Sequence, residues 1–135
     1  MGKSVARDIV DIINENVNLP YIKGTDIFYA RMPTDPQDCI VIYDNAGPPP
    51  MLQYIKSRST YEYAAVMVRV RNTNYDGAYE SIEAIRIYLH GLHGVEINDS
   101  HYTLIQAVNA VGVLHFDEND RPVLFQNFSI QRKPV

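Results

Sequence analysis

A chain of 135 residues with 46% apolar and 21% charged residues has enough material for one domain with its own core. No window approaches the roughly 18 uninterrupted apolar residues of a membrane span. A net charge of −4, with no basic cluster longer than "RKP" near the C-terminus, lacks the electrostatic footprint of a nucleic-acid binder.

The opening "MGKSVARDIVDII" carries Asp8 and Asp11 inside its apolar stretch and no small-residue cleavage site, so no signal peptide is expected. Met-Gly resembles the start of a myristoylation signal, but Ala6 stands where that signal requires Ser or Thr. Residues 4–16 read as a helix: Ser4 suits an N-cap, and Ile9, Ile12 and Ile13 form a stripe at helical spacing. Arg7, Asp8, Asp11 and Glu15 take the other side. "NLP" and Gly24 end the element. A short strand is expected at 26–31, stopped by "MPTDPQD", and a second at 39–43.

That second strand runs through "VIYDNAGPPPM" into Pro48, Pro49 and Pro50, more proline than a turn requires. Three prolines in succession hold an extended conformation with little entropy left to lose. They read either as a peg buried by a neighbour, with Met51 and Tyr54 adding apolar area, or as a cover for the edge of the sheet. The polar, Tyr-rich "QYIKSRSTYEY" that follows suits an arm.

The longest strand, 60–71, alternates. Val66, Val68 and Val70 share a core face, and Tyr61, Tyr63, Met67, Arg69 and Arg71 share the opposite one. The second set is amphipathic rather than simply polar, which fits contact with another protein; cover by a helix is the alternative. A second helix spans 72–92. Asn74 or Asp76 caps it, Ala78, Ile82, Ile85 and Leu89 form its buried stripe with Tyr75, Tyr79 and Arg86 beside, and Gly91 or Gly94 ends it. Strands follow at 101–109 and 122–132. "VGVLHF" lies between them as a short strand or a bulged continuation, and "DENDR" is a turn. With no repeat and no linker, the pattern predicts a single α+β domain over 1–135: a mostly antiparallel or mixed sheet with two helices packed on one face. The strand order is left open.

Sequence chemistry is sparse. Cys39, the one cysteine, excludes an internal disulfide and reads as a buried small hydrophobe. His90 and His93 stand one helical turn apart, a ligand-compatible spacing, but no third ligand stands at a recognisable interval. "HFDEND" lacks the central glycine of a calcium loop. Phosphate loop, nucleophile elbow and triad are all missing, so no catalytic residue, cofactor or metal is expected, and no enzyme. Ten tyrosines without a tryptophan favour surfaces meant to be buried by a partner.

Three stretches taken together resemble a family of small phage proteins, the minor capsid or tail terminator proteins. They are "DNAGPPP" (Asp44 to Pro50), "VMVRVRNTNYDGAYESIEAIRIYLHG" (Val66 to Gly91) and "DENDRPVLFQNFSI" (Asp117 to Ile130, with Arg121, Asn127 and Phe128). Asn45-Ala46 departs from the Thr-Gly more usual in the first. The resemblance implies a structural protein of the virion, made in the host cytoplasm. It implies a homo-oligomeric ring of about six subunits at the head-proximal end of a long tail. Such a ring ends polymerisation of the tail tube protein, meets a head completion or connector protein, and lets DNA pass through its lumen without specific binding. No membrane is involved. Subunit or partner contacts are expected at Pro48, Pro49, Pro50, Met51, Tyr54, Tyr61, Tyr63, Met67, Arg69 and Arg71, with Arg69 and Arg71 pairing across a seam to the Asp117–Asp120 turn or to Glu80 and Glu83. Rival readings are a head completion or neck protein, a small α+β enzyme or ligand-binding module using His115 and Asp117, and a monomeric peptide-binding module.

Overall fold

A computed structural model describes residues 4–17, 27–29, 31–32, 38–45, 62–117 and 120–134. In chain order the elements are α1 (Val5–Asn16), β1 (Ile27–Tyr29), β2 (Cys39–Asn45), β3 (Glu62–Arg71), α2 (Tyr75–Leu89), β4 (Val95–Ile97), β5 (Ser100–Ala107), β6 (Gly112–Phe116) and β7 (Pro122–Pro134). The strands form one mixed sheet in the order β1-β2-β3-β7-β5-β4, with β6 also paired to β7. Only β1 and β2 run parallel; the other pairings are antiparallel. The α+β architecture is as expected, and the open question of strand order is resolved: β2 and β3 are neighbours, and the C-terminal strand lies on the far side of β3.

Register sorts the side chains by parity. Val66, Val68 and Val70 of β3 stand opposite Phe128, Gln126 and Leu124 of β7, and Ile40 and Ile42 of β2 face the same way. Both helices cover this face. Ile9, Ile12 and Ile13 of α1 and Ala78, Ile82, Ile85 and Leu89 of α2 enter one cluster with those strand residues. Each large aliphatic side chain so buried contributes about 1.5–3 kcal/mol before entropy is counted.

The caps form as the sequence predicts. Ser4 Oγ accepts the Arg7 N–H (3.3 Å), and the Asn74 side chain accepts from Asp76 and Gly77. Asn74, not Asp76, therefore caps α2, which starts at Tyr75, three residues inside the expected span. Gly91, with φ of 83°, ends it just past the His90 cap. Two further side chains tie strand ends to helix starts. Asp44 Oδ1 accepts the Ala6 N–H of α1 (2.9 Å), and Asp38 Oδ1 accepts the Thr73 N–H before α2 (2.9 Å).

The helix α1 differs from its expected amphipathic layout. Asp8 and Asp11 stand on the side opposite the apolar stripe, yet Asp8 is fully buried and Asp11 is 9% exposed. Their partners come from β4–β5 and β7. The Tyr102 hydroxyl donates to Asp8 Oδ2, Asn98 Nδ2 donates to Asp8 Oδ1 (2.7 Å) and to Asp11 Oδ2 (2.9 Å), and Arg132 lies 3.5 Å from Asp8. Asn98 also shapes the backbone. With Asp99 it forms the two-residue turn of the β4–β5 hairpin, both at positive φ (50° and 63°), a conformation that Asn and Asp tolerate well. One residue thus fixes a turn and holds a helix.

Burial first, then the hydrogen bond to Asp8, pushes the Tyr102 hydroxyl well above the ordinary tyrosine value of 10.0. A folded-state value raised in this way stabilises fully below about pH 10, and that contribution is lost as pH rises further. Tyr102→Phe, which leaves Asp8 short of a donor, is expected to lower stability at pH 7 by about 1–3 kcal/mol. It should also flatten the alkaline loss above pH 10 relative to the parent. Urea unfolding between pH 7 and 11 checks both, and equal stability at pH 7 contradicts the network.

Candidate assembly interface

In β2, β3 and β7 the face turned away from the helices carries the odd-numbered residues. Along it, Arg69 of β3 stands opposite Val41 and Phe125, Met67 opposite Tyr43 and Asn127, and Tyr63 opposite Gln131. No described helix covers this face, so the helical cover that the alternation left open does not account for it. The patch is uneven. Cys39, Val41 and Val123 are buried, and Arg71, set between Cys39 and Val123 in register, is only 4% exposed. Tyr43, Tyr63, Met67, Arg69, Phe125 and Gln131 are half-buried.

Arg69 is held in place by its own face. Its guanidinium lies over the Tyr43 ring, 4.6 Å from the centroid, and its Nε donates to Met67 Sδ at 3.2 Å. Burial pushes the Tyr43 hydroxyl up, and the Arg69 charge works against that shift. The outcome is a cation laid flat on an aromatic and a thioether: a pre-ordered, polarisable surface with little side-chain entropy left to lose on contact.

Of the residues expected at an interface, Tyr63, Met67 and Arg69 thus share one accessible face. Arg71 shares the face but is enclosed by the chain. Pro48, Pro49, Pro50, Met51, Tyr54 and Tyr61 lie outside the described residues. Two of the acidic partners suggested for Arg69 and Arg71 are engaged within the chain. Glu83 takes both Arg86 contacts (3.0 and 2.8 Å), which hold its carboxyl below the usual range. Asp117 binds Arg121 through Nε (2.7 Å) and its backbone N–H (2.9 Å).

Those Asp117 contacts belong to a second set of functional-looking residues whose role is architectural. The Asp117–Arg121 pair closes the β6–β7 turn, helped by Asp117 N–H to Arg121 O (2.9 Å) and by Asp120 at φ of 58°. Beyond it, β5 and β6 prove to be one strand direction interrupted by a bulge, the second of the two readings of "VGVLHF". Ala107 pairs with Phe128 and Gly112 with Phe125, so residues 108–111 bow out opposite Gln126 and Asn127. Asn109 closes the bulge: its Oδ1 accepts from Gln126 Nε2 (2.7 Å) and from the Asn127 N–H (3.1 Å). Gln126 is fully buried on the helix-bearing face, a polar residue in a core row that sequence reasoning did not single out. Its only signal was its even position between Leu124 and Phe128.

His90 and His93 also act locally. His90 Nδ1 accepts the Ala107 N–H (3.0 Å), and His93 Nδ1 contacts Gly91 O (3.1 Å). Among the described residues no three His, Cys, Asp or Glu side chains gather as metal ligands, and no helix is long and apolar enough to cross a membrane.

The chain thus has a small mixed sheet with both helices on one face and an ordered Tyr–Met–Arg patch on the other. The family of bacteriophage tail terminator proteins matches this chain over residues 13–134, and the chain belongs to it. No curated protein matches the chain. The stretches that carried the family resemblance are, where described, fasteners: Asp44 caps α1, Asp117 and Arg121 lock a turn, Asn127 clasps the bulge and Phe128 fills the core.

Removing one partner of the Asp117–Arg121 pair leaves a largely enclosed charge. Arg121→Met is therefore expected to cost about 3 kcal/mol, and Asp117→Asn with Arg121→Met together less than the sum of the two singles. Chemical denaturation of the three variants checks the coupling; additive losses contradict it.

Proposed function

We propose that this chain forms a closed ring of identical copies at the head-proximal end of a phage tail, where it ends growth of the tail tube and offers a surface to the head connector. The family match over residues 13–134 carries this reading, and the accessible Tyr63–Met67–Arg69 face supports it. A ring needs a heterologous contact, one patch of a subunit against a different patch of the next, repeated until the rotation closes. Tyr63, Met67 and Arg69, with Pro48, Pro49, Pro50, Met51, Tyr54 and Tyr61, form one side of that contact. Arg71, enclosed as it is, serves the fold of this face rather than the seam.

The net charge of −4 suits a lumen through which DNA slides, because a basic lining would hold the phosphates. The partners are further copies of the chain, the tail tube protein and a head completion or connector protein, first met in the host cytoplasm during assembly. Nothing in this role calls for catalysis.

Light scattering of the purified chain from micromolar concentration upward is expected to give a mass of about six subunits. Arg69→Glu, or exchange of Pro48–Pro50 for Gly and Ser, should lower the assembled fraction without altering the monomer's circular dichroism. A chain that stays monomeric throughout and does not bind purified tail tubes contradicts the proposal.

A further inference from the structure

The sheet protects most of one edge and leaves the rest bare. On the outer side of β5, β4 pairs with Ser100–Tyr102, the loop after α2 bonds Ile105 from both directions (Gly91 N–H to Ile105 O 2.8 Å, Ile105 N–H to Leu92 O 2.9 Å), and His90 takes the Ala107 N–H. Past the bulge this protection stops. Among the described residues β6 pairs with β7 alone. It carries no proline or lysine; its one polar side chain is the exposed His115, and three of its five residues are exposed apolar ones: Val113 (44%), Leu114 (36%) and Phe116 (56%). Proteins blunt such edges unless something is meant to pair there. At the opposite end of the sheet β1 pairs only with β2 among the described residues, and its Tyr29 is 42% exposed.

The two edges differ in charge. Beside β6 lie Asp117, paired with Arg121, and the exposed Asp120. Beside β1 lie Arg7, its guanidinium 5.8 Å from the Tyr29 ring centroid, and the exposed Arg31. An acidic, apolar edge at one end of an open sheet and a basic, aromatic edge at the other are complementary between copies but not within one copy.

We infer that β6 of one subunit receives the β1 edge of a second copy by strand addition, continuing the sheet from subunit to subunit. This rests on the ring reading above and adds to its seam an edge-to-edge contact beside the Tyr63–Met67–Arg69 face. Unlike edges at opposite ends of one sheet meet head to tail, which is the heterologous geometry that a closed ring requires. Backbone hydrogen bonds give the contact its alignment, the apolar side chains of β6 are buried against Tyr29, and charge sign rejects β6 against β6.

Cysteine cross-linking in the full chain tests the seam, since the native Cys39 is buried. Tyr29→Cys with Leu114→Cys in the same chain is expected to give a covalent ladder on mild oxidation. A mixture of the two single variants should stop at a dimer, and each single variant alone should stay uncoupled. In a separate variant, Leu114→Lys should abolish assembly at concentrations where the parent assembles, with an unchanged thermal melt of the monomer. Dimers from Leu114→Cys alone would mean that β6 meets β6, overturning the inference. An assembled parent whose double variant gives no ladder, and whose Leu114→Lys variant still assembles, overturns the seam but leaves the ring. A parent that is monomeric in scattering and does not bind purified tail tubes, with a double variant that gives no ladder, overturns both.

Discussion

The pairing of β3 with β7 is the constraint on which the rest of this structure depends. All of β3, Glu62 to Arg71, is matched to Arg132 through Val123 without a break. Strand side chains alternate with a period of two, so this one register decides which residues the helices cover and which they do not. A slip of one position would drive Met67, Arg69 and Arg71 into the helix-packed core and expose Val66, Val68 and Val70. The hydrophobic cost forbids the slip, and the accessible face of the protein is a by-product of the same choice.

Around that pair the molecule is fastened by polar side chains at the element ends rather than by apolar area alone. Asp44 and Ser4 hold the first turn of α1, Asp38 steadies the entry to α2, and Asn98 joins the β4–β5 turn to Asp8 and Asp11. Asp44 and Ser4 satisfy N–H groups of the first helical turn, and Asn98 adds to the hydrogen bonding of two buried carboxylates.

Elements governed by local rules were legible in the sequence. Both helices, their Ser4 and Asn74 caps, the alternation of β3 and the turn after β6 each follow from neighbouring residues. What failed needed distant partners or broken phase. Asp8 and Asp11 look solvated on a helical wheel, and the residue that buries them, Asn98, lies 90 positions from Asp8. The β4 strand has only three residues, too few for a pattern. In β5 a register shift between Tyr102 and Leu104 moves the core face from Tyr102 to Ile105, so simple alternation misplaces its second half. The candidate interface was half legible for a similar reason. Alternation put Tyr63, Met67, Arg69 and Arg71 on one face, but not how deeply each one sits. Arg69 and Arg71 are each flanked in register by two apolar residues, yet only Arg71 is buried, a depth that spacing does not give.

Tail length is the property in which a terminator's work is read. Tails assembled from their purified components, with and without this chain, and measured by negative-stain electron microscopy test the central claim most directly. The account predicts tubes of uniform length capped at one end when the chain is present, and overlong tubes of scattered length when it is omitted. Tubes of the same length distribution in both preparations would contradict it.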